Sequence, residues 1–94
     1  MEFKDKDIES FWLDPDNNIP TRVPTELRKT LYRKLQLLDA ASSFSDLRVP
    51  PGNHLEKLEG DRKGGHSIRV NKQWRLCFVW TLNGAEGVEF HDYH

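Results

Sequence analysis

The sequence predicts an α+β fold, with amino-terminal helices packed on a carboxyl-terminal antiparallel β-meander. Two observations lead to this prediction: apolar residues recur at helical spacing before residue 42, and they alternate or form short runs after residue 54. Pro50 and Pro51 separate the two patterns, where they disfavour both a helix and a central strand. Because the chain has 94 residues, we expect a single domain over residues 1–94 with a modest core.

The first half of the chain contains two predicted helices. Apolar residues within 8–12 indicate one or two helical turns, which a polar turn at 14–18 ends. The stronger helix begins near Pro24 and continues to about Ala41, because leucines recur along it every three or four positions. Basic residues occupy the opposite side of this helix, which we interpret as a solvated face.

The second half of the chain contains the predicted strands. They are 55–59, 66–70, 74–81 and 87–91. The third is almost continuously apolar, as expected of a central strand, and Asn83-Gly84 is a strong hairpin signal before the fourth. In the second strand Ile68 and Val70 should face the core, which places Arg69 on the other face.

The charge distribution indicates where a polyanion could bind. The net charge is only −1, but residues 48–75 carry seven basic and three acidic side chains, whereas residues 1–21 carry two basic and six acidic ones. Positive charge is therefore concentrated in the middle of the chain. Ordinary scattered surface charge accounts for the same block equally well.

Composition also limits the class of protein. No apolar run approaches the roughly 18 residues that a membrane span needs. The first residues lack the basic and apolar segments of a signal peptide, so we expect a cytoplasmic protein without membrane contact. Cys77 is the single cysteine, which excludes an internal disulfide and a cysteine metal cluster. We expect neither a metal nor a cofactor.

Spaced motifs in the second half resemble the HigB toxins of the RelE/ParE superfamily. The motifs lie at 46–53, 58–64, 67–71 and 73–78, and the last is the terminal Asp92-Tyr93-His94. The resemblance covers residues 24–94 in recognisable order. It implies a RelE-like microbial RNase fold and the toxin of a type II toxin–antitoxin system.

The activity that this resemblance implies is ribosome-dependent cleavage of messenger RNA in the A site by a metal-independent endoribonuclease, an mRNA interferase. In such cleavage the 2′-hydroxyl attacks the adjacent phosphate, so the products are a 2′,3′-cyclic phosphate and a 5′-hydroxyl. Translation and growth would stop. A helix-turn-helix antitoxin of the HigA type would neutralise the toxin, and operator DNA would be contacted only indirectly through that antitoxin.

Five residues are candidates for the chemistry. Arg75 matches the superfamily's catalytic arginine and would stabilise charge on the phosphorane. His94 would act as general acid or base, because an imidazole exchanges protons near neutral pH. Tyr93 would orient a phosphate or stack on a base, and Asp92 would orient His94. Glu56 occupies the position where related toxins have a histidine or glutamate base, so it competes with His94 for that role.

Further residues are candidates for RNA contacts. They are Arg69, Lys57, Arg62, Lys72, His54 and Asn71. The basic members would contact the backbone of the RNA or of the ribosome, and Arg69 could also assist Arg75. His54 would share the strand face of Glu56, which makes it a secondary candidate base. Asn71 is equally compatible with a role in a turn.

Two alternatives to the nuclease use the same fold. One is a catalytically silent, antitoxin-bound relative that acts as a co-repressor, and the other is a ParE-like poison of DNA gyrase. The acidic first 21 residues depart from the basic character that RelE-type toxins share. The terminal Asp92-Tyr93-His94 favours the nuclease, because a binding role gives no reason for proton-transfer groups near Arg75.

Overall fold

The structure is a computed structural model that describes residues 1–92, without the side chain of Arg62. Within that range, two α-helices precede four β-strands. They are α1 (Lys6–Leu13), α2 (Arg28–Ala40), β1 (Glu56–Lys57), β2 (His66–Arg69), β3 (Trp74–Thr81) and β4 (Gly84–Asp92). The predicted α+β order is confirmed. Over the same residues, no helix combines the length and the apolar character that crossing a membrane requires.

The strands form an antiparallel sheet in the order β1-β2-β3-β4, so the predicted meander is confirmed. Strand β1 covers only Glu56–Lys57 and is therefore shorter than predicted, and the residue before Leu55, His54, has a left-handed backbone with φ at 42°. Strand β4 is longer than predicted and begins at Gly84, where φ is 94°. Glycine adopts this conformation without a Cβ clash, which allows the tight hairpin between β3 and β4.

A bulge in β4 determines which of its residues face the helices. The register between β3 and β4 shifts so that Gly87 and Val88 lie opposite the single residue Phe78. Gly87 has φ at 62°, as expected for a bulge that contains a left-handed glycine. The extra residue reverses the alternation along β4, so that Glu89 and His91 face away from the helices.

The core lies between the helices and one face of the sheet. The register places Ile68, Leu76 and Phe90 side by side on that face, and all three are buried. Helix α2 contributes the predicted leucine stripe, of which Leu31 and Leu35 are fully buried. The opposite side of the sheet, which we call the outer face, carries the residues that alternate with these core positions.

The amino-terminal residues extend the sheet, which the sequence analysis did not predict. Phe3 forms a parallel bridge with Val88 of β4. Arg22 fastens this segment, because its guanidinium donates hydrogen bonds to the carboxylates of Asp5 at 2.7 Å and Asp7 at 2.8 Å. The free edge of β4 is thereby covered, which protects it from pairing with another chain.

Candidate active site

The outer face brings Arg69, Arg75 and His91 into one row across three strands. Arg75 in β3 lies directly opposite Arg69 in β2 and directly opposite His91 in β4. Residues that oppose each other across antiparallel strands share a face, so the three side chains lie together. We call these residues the basic row. The predicted placement of Arg69 away from the core is confirmed.

Arg75 is held firmly at the centre of the basic row. Its side chain is only 9% exposed. Its Nε donates to the hydroxyl oxygen of Ser67 at 2.7 Å, and Nη2 donates to the backbone carbonyl oxygens of His54 and, at 3.3 Å, of Ser67. A guanidinium removed from water needs such acceptors, because burying an uncompensated charge is strongly unfavourable. These bonds therefore fix the orientation of Arg75 within the sheet.

Glu56 is the acidic neighbour of Arg75. Its Oε1 lies 3.9 Å from Arg75 Nη1, and its side chain is 52% exposed. Glu56 pairs with Ser67 in the register of β1 and β2, so it reaches Arg75 diagonally across Ser67. The structure thus brings together two residues that the sequence singled out as catalytic. Because Glu56 is half exposed and its oxygen lies beyond hydrogen-bond distance, the contact contributes little to stability, so the carboxylate can exchange its partner at low cost.

The connector before β1 is held in place by Asn53, a fully buried residue that the sequence analysis did not select. Its Nδ2 donates to two backbone carbonyl oxygens of the preceding connector, at 3.1 Å and 3.2 Å, and its Oδ1 accepts from Lys34 Nζ at 2.6 Å. Burial lowers the pKa of Lys34. These bonds fix the backbone immediately before His54, whose carbonyl oxygen accepts from Arg75.

Ser67 is also a residue that sequence reasoning missed. It is fully buried although it lies on the outer face, where the Arg75 guanidinium donates to both its hydroxyl and its carbonyl oxygen. A serine within a strand carries no signal of its own. Only the contact with Arg75 identifies it as part of the site.

His91 and Glu89 complete the outer face on the side of β4. Nδ1 of His91 lies 3.9 Å from Oε1 of Glu89, and the two side chains are 45% and 14% exposed. Lys4 lies on the other side of this carboxylate, with Nζ 3.3 Å from Oε2. Neither Glu89 nor His91 was selected from the sequence. Their alternation with the apolar Val88 and Phe90 was the available signal, but it does not show that His91 lies opposite Arg75.

The terminal motif is described only in part. Asp92 lies opposite Trp74, which is adjacent to Arg75 in β3 and points to the other face. The structure therefore places the Asp92 side chain on the helix side of the sheet, and not beside Arg75. Tyr93 and His94 lie outside the described residues, so the roles expected of them stay predictions.

Asn71 has the turn-forming role that the sequence analysis left open. Its Oδ1 accepts hydrogen bonds from the backbone N–H groups of Gln73 at 2.9 Å and Trp74 at 2.7 Å. Arg69 Nε donates to the Asn71 carbonyl oxygen at 3.1 Å. Asn71 therefore shapes the turn between β2 and β3 and orients one member of the basic row.

The other predicted RNA contacts are dispersed around the site. Lys72 and Lys57 are exposed, and Lys57 pairs with His66 on the side opposite Glu56. His54 is also exposed, but it precedes β1, so the expectation that it shares the strand face of Glu56 is wrong. The left-handed backbone at His54 takes it out of the strand alternation. The Arg62 side chain lies outside the described part of the chain.

A groove of about 280 Å³ extends the outer face beside the basic row. Cys77 and Glu89 line it from the sheet, and Lys4 and Lys63 contribute positive charge to its wall. Among residues 1–92, no three His, Cys, Asp or Glu side chains are arranged to hold a metal ion. The outer face carries acid–base and electrostatic groups, which are Glu56, His91 and the guanidinium of Arg75.

Comparison with known proteins places this chain in a family. The family model described as "RelE-like toxin of type II toxin-antitoxin system HigB" matches residues 1–94. Toxin HigB-1 of Vibrio cholerae is 48% identical over 93 residues, which cover 99% of this chain and 92% of that protein. Endoribonuclease HigB of Proteus vulgaris is 29% identical over 79 residues, which cover 84% of this chain and 85% of that protein.

A solved structure shares the fold. It is the YoeB–YefM complex from Staphylococcus aureus, with a TM-score of 0.57 and 20% sequence identity, and the match covers 96% of this chain and 93% of that one. The helices, the antiparallel sheet and the full-length family match therefore agree with the resemblance drawn from the motifs. A type II toxin pairs with an antitoxin. The chain belongs to the HigB-like toxins, which are RelE-like toxins of type II toxin–antitoxin systems.

Proposed function

We propose that this toxin is a metal-independent, ribosome-dependent endoribonuclease that cleaves messenger RNA in the A site. The observation that carries the proposal is the fixed guanidinium of Arg75 on the outer face, with the Glu56 carboxylate 3.9 Å away. The name of the Proteus vulgaris relative, an endoribonuclease, supports the same class of reaction. The ribosome in the cytoplasm would be the place of action.

In this proposal Arg75 stabilises the negative charge that develops on the phosphate oxygens. The hydrogen bonds of Arg75 to Ser67 and His54 engage Nε and Nη2, and Nη1 lies on the side of Glu56, where the phosphate would bind. Because those hydrogen bonds already hold the guanidinium in place, little reorganisation is needed when charge develops. A bound phosphate would replace the weak contact with Glu56 and leave its carboxylate beside the reacting group.

Glu56 would then take the proton of the 2′-hydroxyl. The 2′-oxygen forms a bond to phosphorus, the bond from phosphorus to the 5′-oxygen breaks, and a general acid returns a proton to the leaving 5′-oxygen. His94 is the terminal candidate for that acid, with Tyr93 orienting the phosphate and Asp92 supporting the terminus. The dispersed basic residues would contact the RNA or ribosome backbone. They are Arg69, Lys57, Arg62 and Lys72.

The antitoxin in this proposal is a HigA-like helix-turn-helix protein. The toxin would meet operator DNA only through that partner. The solved YoeB–YefM complex that shares the fold supports pairing of this kind, although its partner is YefM.

Mapping RNA ends after brief induction tests the proposal. We expect new 5′-hydroxyl ends inside translated codons, and Glu56→Gln should lower their yield by about 10²-fold or more, the usual contribution of a general base. Glu59→Gln is the matched control, because Glu59 is an exposed acid three residues along the chain. It should cleave like the unmodified toxin.

Three outcomes would overturn the proposal or its assignment. Covalent complexes of DNA and gyrase without new RNA ends would identify a gyrase poison. Absence of both products would identify a catalytically silent relative. Undiminished cleavage by Glu56→Gln would remove Glu56 as the base while leaving the nuclease intact.

A further inference from the structure

We propose that His91 is a second proton-transfer group of this site and acts on the side of Arg75 opposite Glu56. This inference rests on the proposed nuclease activity. It begins from the register of the sheet, which places His91 directly opposite Arg75. Directly opposed residues have Cβ atoms about 4.5–5.5 Å apart and share a face, so His91 and Arg75 are immediate neighbours.

The strand order places the two groups on opposite sides of the arginine. Glu56 comes from β1 and reaches the guanidinium over β2, whereas His91 comes from β4. In an in-line displacement at phosphorus, the attacking oxygen and the leaving oxygen lie on opposite sides of the phosphorus atom. A base and an acid that serve the same phosphate must therefore approach it from opposite sides. Glu56 and His91 come from strands on opposite sides of β3, the strand that carries Arg75.

The surroundings of His91 suit proton transfer. Its side chain is 45% exposed, so RNA can reach the ring. The Glu89 carboxylate lies 3.9 Å from Nδ1, close enough to attract the ring electrostatically once it carries a proton. Nε2, on the far side of the ring, is then the nitrogen that would exchange a proton with the RNA.

The reaction balances with these two groups. Glu56 accepts the proton of the 2′-hydroxyl as the bond from the 2′-oxygen to phosphorus forms. The bond from phosphorus to the 5′-oxygen breaks, and the leaving oxygen takes its proton from protonated His91, which in this inference replaces His94 as the acid. The charged groups around His91 on the outer face are Glu89, Arg75 and Arg69, with Lys4 beyond Glu89 and Glu56 beyond Arg75.

The test measures cleavage of ribosome-bound messenger RNA by the purified toxin from about pH 5.5 to 8.5, around the ordinary imidazole pKa of about 6.5. We expect His91→Gln to lower kcat by about 10²-fold, to leave KM nearly unchanged, and to remove the limb of the pH profile that reports an acid. Added imidazole should restore part of the activity of His91→Ala, since it can supply the missing proton.

His66→Gln is the matched control. His66 lies in β2 opposite Phe78, on the helix side of the sheet, with its ring 4.6 Å from that of Phe44. The kcat and the pH profile of the His66→Gln variant should equal those of the unmodified toxin.

The outcomes separate the inference from the proposed function. If the unmodified toxin cleaves no RNA, the proposed function fails and the inference fails with it. If the toxin cleaves RNA and His91→Gln keeps its kcat, the inference alone is wrong. A lower kcat with an unchanged pH profile and no rescue by imidazole would also reject it, because such a result indicates a structural role.

Discussion

Removing the hydroxyl group of Ser67 should loosen Arg75 and destabilise the toxin. The Ser67→Ala substitution deletes the oxygen that accepts the hydrogen bond from Arg75 Nε at 2.7 Å. Alanine fits the space of serine, so the substitution leaves almost no cavity. Its main effect is to leave one N–H of a buried guanidinium without its acceptor, because Ser67 is fully buried and Arg75 is nearly so.

The size of the effect follows from the kind of bond that is lost. A buried hydrogen bond to a charged group contributes about 1.5–3 kcal/mol. Arg75 keeps the backbone acceptors at His54 and Ser67, so the guanidinium remains partly held. We therefore expect the free energy of unfolding to fall by about 2 kcal/mol, and the melting temperature to fall by about 8–16 °C for a chain of this size.

Urea unfolding followed by tryptophan fluorescence measures this change. Ser10→Ala is the matched control, because Ser10 is exposed in α1, and its effect should stay within about 0.5 kcal/mol. In an Arg75→Met background the cost of Ser67→Ala should largely disappear, since the charged donor is gone. The reasoning is refuted if Ser67→Ala costs less than about 0.5 kcal/mol, or if its cost is the same in both backgrounds.

Two further substitutions test hydrogen bonds that stabilise the connector before β1 and the amino-terminal segment. Asn53→Asp should lower the free energy of unfolding by about 3 kcal/mol, because a carboxylate cannot donate to the carbonyl oxygens of Leu47 and Val49. Chemical denaturation measures this change. A change within about 0.5 kcal/mol of zero would be inconsistent with the prediction. The hydrogen bond from Arg22 holds the pKa of Asp7 below its usual value of 3.8. The interaction of Asp7 with Arg22 therefore stabilises the fold fully above the pKa that Asp7 has in the unfolded chain. This stabilisation is lost as the pH falls through the lower pKa that Asp7 has in the folded protein. Thermal melts should show a steeper loss of stability below about pH 4 for the unmodified toxin than for Asp7→Asn, and parallel curves would contradict this account.

The sequence predicted the class of fold and the order of its elements. The leucine stripe of α2 and the apolar run of β3 are strong periodic signals, and both elements lie where these patterns placed them. The pairing of Phe3 with β4 was missed, because it joins residues 85 positions apart and has no local signature. The ends of β1 and β4 were misplaced, since β1 covers only residues 56–57 and β4 already begins at Gly84, because pairing with the neighbouring strand decides where a strand ends.

The site was predictable in its residue types and less so in its geometry. Arg75 and Glu56 were selected from the sequence, and the structure places them together. Asn53, Ser67 and His91 were not selected. Each is an ordinary residue in its local context, and it acquires a role only through a contact with another element.

By itself, the sequence determined the α+β class, the resemblance to the HigB toxins and the presence of an arginine suited to phosphate. These properties depend on local periodicity, turn residues and motif spacing, all of which can be read along one chain. Only the tertiary structure decided that Arg75 has Glu56 on one side and His91 on the other, and that Asp92 points away from it. The physical reason is that strand register and the bulge at Gly87 determine the face on which each side chain lies, and both depend on the strands that pair.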